Sequence, residues 1–411
     1  MTLPARNTLA VIGAGPIGLE AAAAALDAGL DVHVFERGEV GAHPLAWGHV
    51  RMFTPWRMNL GPSSVARLGA AGWTAPDPDS LPTGLELCER YLRPVAALPD
   101  LEPRVHAFSR VVHASRRGML KGDAIGGVAR GAHPFRLMVR DQGGRENFIH
   151  AFAVIDASGV YGQPNWAGDG GIPARGELYL APQMSYHVDD VLGLRRQRYA
   201  GKHALVIGGG TSAATLVGDL VRLAAEAPGT AVTWVTREPA EALYAELPGD
   251  PLPNRRELYA QARALVRGAH PAVRHVGGSI VEGIQFNSAT HRYMTSLVRG
   301  ELPAVEESDQ VLVCAGFGPD NSLYRELQIH ECYATRGPMN LSVALLAAGP
   351  IDCLTAPALG ADVLAHPEPN FYILGHKSYG RSPHFLLETG YAQVAEVVAR
   401  LAAGLGVALA R

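Results

Sequence analysis

Gly13, Gly15 and Gly18 stand as GxGxxG directly after the apolar run "TLAVI", and Gly208, Gly210 and Ala213 repeat the spacing after "ALVI". A loop of this kind gathers backbone N–H groups at a helix start, where a phosphate can sit. The first glycine permits a tight turn, the second lets a pyrophosphate approach the backbone, and the third lets the helix pack close to the strand. The residue closing the next strand then reads the sugar. "DVHVFERG" ends in Glu36, and a carboxylate there accepts hydrogen bonds from a ribose 2′-hydroxyl. "AVTWVTREP" ends in Thr236-Arg237, and a guanidinium attracts a 2′-phosphate that a carboxylate would repel.

The sequence therefore predicts two dinucleotide sites. The first uses Gly13, Gly15, Pro16, Ile17, Gly18, Glu36 and Arg37 and takes a plain ribose. The second uses Gly208, Gly210, Thr211, Ser212, Ala213 and Arg237 and takes a phosphorylated one. Arg255 and Arg256 either add to that phosphate site or start a helix. The natural pair of cofactors is FAD at the first loop and NADPH at the second.

The elements that must carry these loops are legible nearby. "TLAVIG" has the pattern of a buried parallel strand, and "PIGLEAAAAALDAGL" is a run of helix formers that stops near Gly29. "KHALVIGGGTSAATLVGDLVRLA" repeats strand, loop and helix. Between Arg104 and Asp156, "RVVHASRRG", "FRLMVRD" and "NFIHAFAVIDASG" alternate or run apolar and predict a small β-meander. The expected fold is α/β, with two Rossmann-like dinucleotide-binding domains. The FAD domain carries the meander, and the NADPH domain is inserted into it. The boundaries read as 1–165 and 309–411 for the FAD domain and 166–308 for the NADPH domain.

Composition fits this picture. The 411 residues allow two or three domains, and 47% hydrophobic with 18% charged residues supports a large core. A net charge of −3 with no run of like charges argues against a nucleic-acid surface. Cys88, Cys314, Cys332 and Cys353 form no CxxC and read as reduced, mostly buried thiols of a cytoplasmic protein. The sixteen histidines show no metal-binding spacing, so no metal is expected. The apolar N-terminal stretch carries loop glycines with Glu20 and Asp27, unlike a signal peptide. No stretch of about 18 uncharged apolar residues predicts a membrane span. "EVVARLAAGLGVALAR" reads as a surface helix packed on its own domain.

At this point the chain resembles the two-dinucleotide-binding-domain flavoproteins, which include thioredoxin reductases, flavin-containing monooxygenases and amino-acid N-hydroxylases. The resemblance covers most of the chain. "VIGAGPIGLE" with Glu36 matches the FAD fingerprint. "AFAVIDASGVYGQPN" looks like the segment where the chain leaves the FAD domain, with Ala157, Ser158 and Gly159 near the cofactor. "DQVLVCAGFGPDN" resembles the returning strand, around Gly316 and Pro319. "PNFYILGHKSYGRSPHFLLETGYAQVAEVVARL" resembles the last FAD segment, with Gly375 near the flavin and a closing helix.

Within that superfamily the residues favour the monooxygenases. Where thioredoxin reductases carry a cysteine pair, this chain has "QMSYHVDDVLGLRRQRYAGKHALVIGGG", with His187 and Asp189 and no thiol. Gly375-His376 stands where the reductases and the single-cradle aromatic hydroxylases have Gly-Asp, and those hydroxylases also lack a second nucleotide domain. The monooxygenase motif FxGxxxHxxxY has only a degenerate counterpart in "GELYLAPQMSYHVDDV", which makes His187 a candidate or a structural histidine at the domain crossing. "AWGHVRMFTPWRMNLGP" is similar to a loop along the flavin, with Trp47, Phe53 and Trp56, with Arg51 as a cofactor contact and Asn59 as a candidate catalytic residue over the ring. "GHKSYGRSPHFLL" offers Lys377, Ser378, Tyr379 and Arg381, and a cation there could stabilise charge on reduced flavin. The resemblance implies hydride transfer from NADPH to FAD. Oxygenation of a small N, S or carbonyl substrate through a hydroperoxyflavin would follow. The partners are then a small-molecule substrate and oxygen, with a homodimer as an open option. The alternative is a reductase passing electrons to a quinone, a flavin or a redox protein.

Overall fold

In the computed structural model, which describes residues 4–246, 248–349 and 360–406, the chain divides into two compact units. One joins Met1–Gln163 to Gly318–Arg411, and Pro164–Phe317 forms the other. Before the crossing run β1 (Thr8–Ile12), β2 (Asp31–Phe35), β3 (Val105–His106), β4 (Arg110–Arg116), β5 (Phe135–Arg140), β6 (Glu146–Ala151) and β7 (Ala153–Asp156). The second unit holds β8 (His203–Ile207), β9 (Ala231–Val235), β10 (Val273–Val276), β11 (Ser279–Asn287), β12 (Arg292–Arg299), β13 (Leu302–Ser308) and β14 (Gln310–Val313). β15 (Phe371–Ile373) follows the return.

The first unit is built on a parallel sheet in the order β15-β7-β1-β2-β3. Every residue of β1 is buried, as a central parallel strand requires. The helix Pro16–Asp27 covers one face, with Ala21, Ala22, Ala23 and Ala25 wholly enclosed. The closing helix Leu387–Gly404 packs against it through Val394, Val397, Val398 and Leu401, so the tail is a packed element of its own unit. Each such side chain contributes roughly 1.5–3 kcal/mol by leaving water. Glu20 breaks the apolar face for a reason. Its carboxylate accepts from the N–H groups of Ser63 at 2.8 Å and Ser64 at 2.9 Å, capping the helix Pro62–Ala70.

The predicted meander is present as the antiparallel sheet β4-β5-β6. Its last run divides at Phe152, so that β7 enters the parallel sheet while β6 stays in the meander. Arg116 from β4 and Arg130 from the following loop both close on Glu368, at 2.6 and 2.8 Å, with all three side chains buried.

The second unit has a parallel sheet in the order β10-β9-β8-β14 and an antiparallel sheet β11-β12-β13. Here one expectation needs correction. The strand in "DQVLVCAGF" pairs with β8, through Gln310–Ala204 to Val313–Ile207, and so belongs to the second unit. The chain returns at residues 317–318 rather than 308–309, because β14 supplies the fourth strand of the second sheet. Cys353 and the end of the C-terminal tail lie outside the described residues. No helix among the described residues is long and apolar enough to cross a membrane.

Candidate functional site: two glycine loops and the cleft at the first

The first loop joins β1 to the helix Pro16–Asp27. Gly13 has φ +103°, and a Cβ there would lie 2.8 Å from the Ala157 carbonyl oxygen. Gly18 admits no Cβ either, because it would overlap the Gly13 carbonyl oxygen. Gly15 is different: nothing lies within 4 Å of where its Cβ would point. Two glycines therefore serve packing, and the middle one leaves open space for a ligand. Gly15 is the helix N-cap, no side chain caps the first turn, and no acid occupies it. Its free amides face outward, as an anion site needs.

Glu36 closes β2 and is buried. Its carboxylate accepts from the N–H groups of Ala14 and Gly38, both at 2.9 Å. Each oxygen keeps a second lone pair for a sugar hydroxyl. Arg37 turns to His43, with Nη2 2.6 Å from Nε2.

A cleft opens here. Gly13, Gly15, Pro16, Ile17 and Glu36 form one wall, with His43 and Pro44 beside them. Ala157, Ser158 and Gly159, after β7, form a second. Leu374, Gly375 and His376, after β15, form a third, closed by Phe385 and Leu387. Gly375 has φ +72°, and a Cβ there would press on Ile17. His376 lies flat on Phe385, ring centroids 5.6 Å apart at 9°. Burial pulls its pKa down, which keeps the imidazole neutral.

Of the predicted residues, the loop, Ala157–Gly159 and Gly375 thus meet around one cleft. The remaining candidates of this unit do not line it. Asn59 is spent on its own loop: its amide donates to the carbonyls of Thr54 and Pro55 and accepts from the Thr54 hydroxyl, all at 2.9 Å. It staples a turn, with both amide N–H groups and the amide oxygen engaged there, and it does not line the cleft. Arg51 donates to the Leu81 carbonyl at 2.5 Å and faces Glu86 at 3.9 Å, so it holds a neighbouring segment. Lys377 is 1% exposed and reaches Asp156 at 2.6 Å, behind the Ser158 wall. Ser378 and Tyr379 are buried with it, while Arg381 faces solvent.

Asp156, His43 and Phe385 went unread in the sequence. The acid lay inside the quoted "AVIDASG", where its position before Ala157 was the available signal. His43 and Phe385 gave none, since only the fold brings them to the glycines.

The second loop repeats the device. Gly208 has φ +134°, and a Cβ would overlap the Cys314 carbonyl oxygen, while Gly210 opens onto free space. The helix Thr211–Glu226 has Gly210 as N-cap and no side-chain cap. Ala213 is fully buried, and Ser212 sits half-buried in the first turn. The Thr211 hydroxyl lies 3.2 Å from that of Tyr259, and Tyr244 donates to the Gly210 carbonyl at 3.2 Å. Arg237, just beyond β9, is 82% exposed and only 3.5 Å from Glu238. Arg255 and Arg256 are committed elsewhere. Arg255 forks onto Asp250 with two contacts of 2.7 Å, and Arg256 donates to the Asp250 carbonyl at 2.8 Å.

His187 stacks on Phe317, centroids 5.5 Å apart at 13°, and burial lowers its pKa against the pull of Asp189. Gly316 has φ +82° and its carbonyl accepts from the Asn165 N–H at 2.9 Å, where the two crossing strands meet. Both residues belong to the second unit.

Comparison with known proteins finds the same fold. Residues 8–41, which span the first loop and Glu36, match the model of the pyridine nucleotide-disulphide oxidoreductase family. No curated protein matches by sequence. Among solved structures, the chain is similar to the bacillithiol disulfide reductase of Bacillus cereus, at 19% identity and TM-score 0.69, over 97% of this chain and 99% of that one. It is similar to the ornithine N-hydroxylase of Kutzneria sp. 744, described with reduced FAD, NADP⁺ and L-ornithine, at 16% identity and TM-score 0.64, over 98% and 99%. It is also similar to the cadaverine monooxygenase of desferrioxamine biosynthesis from Erwinia amylovora, described bound to FAD, at 14% identity and TM-score 0.63, over 98% and 95%. The fold is that of the two-dinucleotide-binding-domain flavoproteins.

Proposed function

We propose that this chain is an FAD- and NADPH-dependent oxidoreductase, and that it acts as a monooxygenase on a small nitrogen, sulfur or carbonyl substrate. The observation that carries the reading is the pair of open glycine loops ending in opposite residue types, Glu36 at one and Arg237 at the other. The first loop fits FAD: its middle glycine is free, its helix start is uncapped, and Glu36 keeps lone pairs for a ribose. The second fits NADPH, with Arg237 exposed to take a 2′-phosphate.

When bound, NADPH supplies hydride, and FAD supplies the two-electron chemistry that reaches oxygen. The chain's own residues do the rest. The uncapped first turns hold the pyrophosphates, and Glu36 orients the ribose. Phe385, Leu374 and Ile17 line the first cleft with apolar surface. A dry wall of this kind protects a reactive cofactor from water.

The thiols argue for oxygen over disulfide as the acceptor. Among the described residues, no cysteine lines the cleft. Cys88 and Cys314 are buried, and burial pushes both thiols up to about 12. The pKa of Cys332 is lowered by hydrogen bonds from Thr335, yet that residue does not reach the cleft.

The test is to supply NADPH and ¹⁸O₂ with a panel of amines, thioethers and ketones. The expected result is labelled product in step with NADPH consumed and little free peroxide. Fast anaerobic oxidation of NADPH by an added quinone or free flavin, with no label in any product, would replace this reading with a reductase.

A further inference from the structure

Lys377 and Asp156 form an ion pair in which both side chains are fully buried, with Nζ 2.6 Å from Oδ2. The pair joins two walls of the first cleft from behind. Asp156 ends β7, immediately before the lining residues Ala157–Gly159. Lys377 follows the lining residues Leu374–His376.

Ser158 is the connecting group. Its N–H and its hydroxyl donate to Asp156 Oδ1 at 3.0 and 2.6 Å, and its oxygen accepts from Lys377 at 3.1 Å. The ammonium also stands 5.2 Å over the Tyr324 ring. Asp320 is the other acid that feels it.

A buried charge acts over a longer range than a solvated one, because little water screens it. Removing one member of such a pair leaves the other uncompensated. We infer that the Lys377–Asp156 pair is a charge-balanced bracket that cancels two buried charges beside the first cleft, so that the reduction potential of a redox cofactor held there depends on the balance between them. The inference rests on the reading that FAD occupies that cleft. Lys377 and Asp156 are positioning residues, since Ser158 stands between them and the cleft.

The opposed charges give the proposal a signature that a structural role lacks. Reduction adds negative charge to the cofactor. Asp156→Asn leaves the lysine unbalanced and should raise the midpoint potential of bound FAD. Lys377→Met leaves the carboxylate unbalanced and should lower it. The double variant should return close to wild type, and Lys377→Arg should hold the wild-type value. Each potential is measured by spectroelectrochemistry on FAD-reconstituted protein. Every variant is measured against wild type at the same pH.

Equal shifts in one direction, or loss of FAD affinity with no shift, would overturn the bracket. If the single variants do not fold, Asp320→Asn removes a neighbouring negative charge without touching the pair. It should raise the potential by a smaller step, and an unchanged potential there would also overturn the proposal. Failure of wild-type protein to bind FAD would instead overturn the cofactor reading, so the two failures are distinguishable.

Discussion

At the first loop the N–H groups of Ala14 and Gly38 close on Glu36, which is buried and faces the cleft. At the second, buried Thr236 holds the matching place, and Arg237 one residue further on is 82% exposed, 3.5 Å from Glu238. The backbone parts are shared: a positive-φ glycine against a carbonyl, an open middle glycine, an uncapped helix. The walls differ. Behind the first stands a buried ion pair, whereas the second has the Cys314 segment and a tyrosine latch on Gly210. The contrast teaches that the backbone of the two loops is shared, while the side chains after the second strand and behind each loop differ.

The largest effect should come from breaking one seat at a time. In Gly13→Ala the new methyl meets the Ala157 carbonyl at 2.8 Å, on a backbone with φ +103°. The expected result is loss of FAD on purification, a penalty of at least ~1.4 kcal/mol or tenfold in affinity. Gly208→Ala meets the Cys314 carbonyl in the same way. It should spare FAD and abolish saturation by NADPH. Calorimetry with each cofactor checks both, and a variant that loses the opposite cofactor would reverse the assignment.

Next in size is the residue that reads the sugar. Arg237→Ala should raise the Michaelis constant for NADPH by roughly 10- to 100-fold, the worth of a charge-assisted hydrogen bond. The constant for NADH should stay within about twofold, since that cofactor has no 2′-phosphate to lose. Equal loss for both would show that Arg237 acts on the loop and not on the phosphate.

Both strand–loop–helix turns were legible in the sequence because a glycine spacing fixes backbone geometry locally. What failed were assignments that depend on where a side chain turns. Asn59 looked available in "RMNLGP", but the turn from Thr54 consumes every polar atom of its side chain. Lys377 looked like a cation available to reduced flavin, but β7 brings Asp156 beneath it from 221 residues away. β14 was placed in the wrong unit because an apolar run of four residues carries no label for its sheet.

Asn59 offers a smaller test of that lesson. Asn59→Ala should cost about 1–3 kcal/mol of stability, the penalty for leaving buried partners unsatisfied. The first unit's melting transition should fall while the Michaelis constant for NADPH holds. A stable variant with a collapsed turnover would return Asn59 to the reaction.

The smallest effect is expected at His187, in the second unit. Its ring lies on Phe317, and burial holds its pKa below the ordinary imidazole value despite the opposing pull of Asp189. The folded chain therefore resists protonating it, whereas the unfolded chain accepts a proton as pH falls through about 6.5. Stability from this group is present above that pH and lost below it. His187→Gln should flatten the drop in melting temperature between pH 7.5 and pH 5.5, both values chosen to bracket ~6.5. Turnover at neutral pH should change by less than about threefold, against the 10²–10⁴-fold expected of a general acid or base. A turnover loss in that larger range, with one limb gone from the pH profile, would make His187 part of the chemistry and erase the difference drawn between a reading site and a structural crossing.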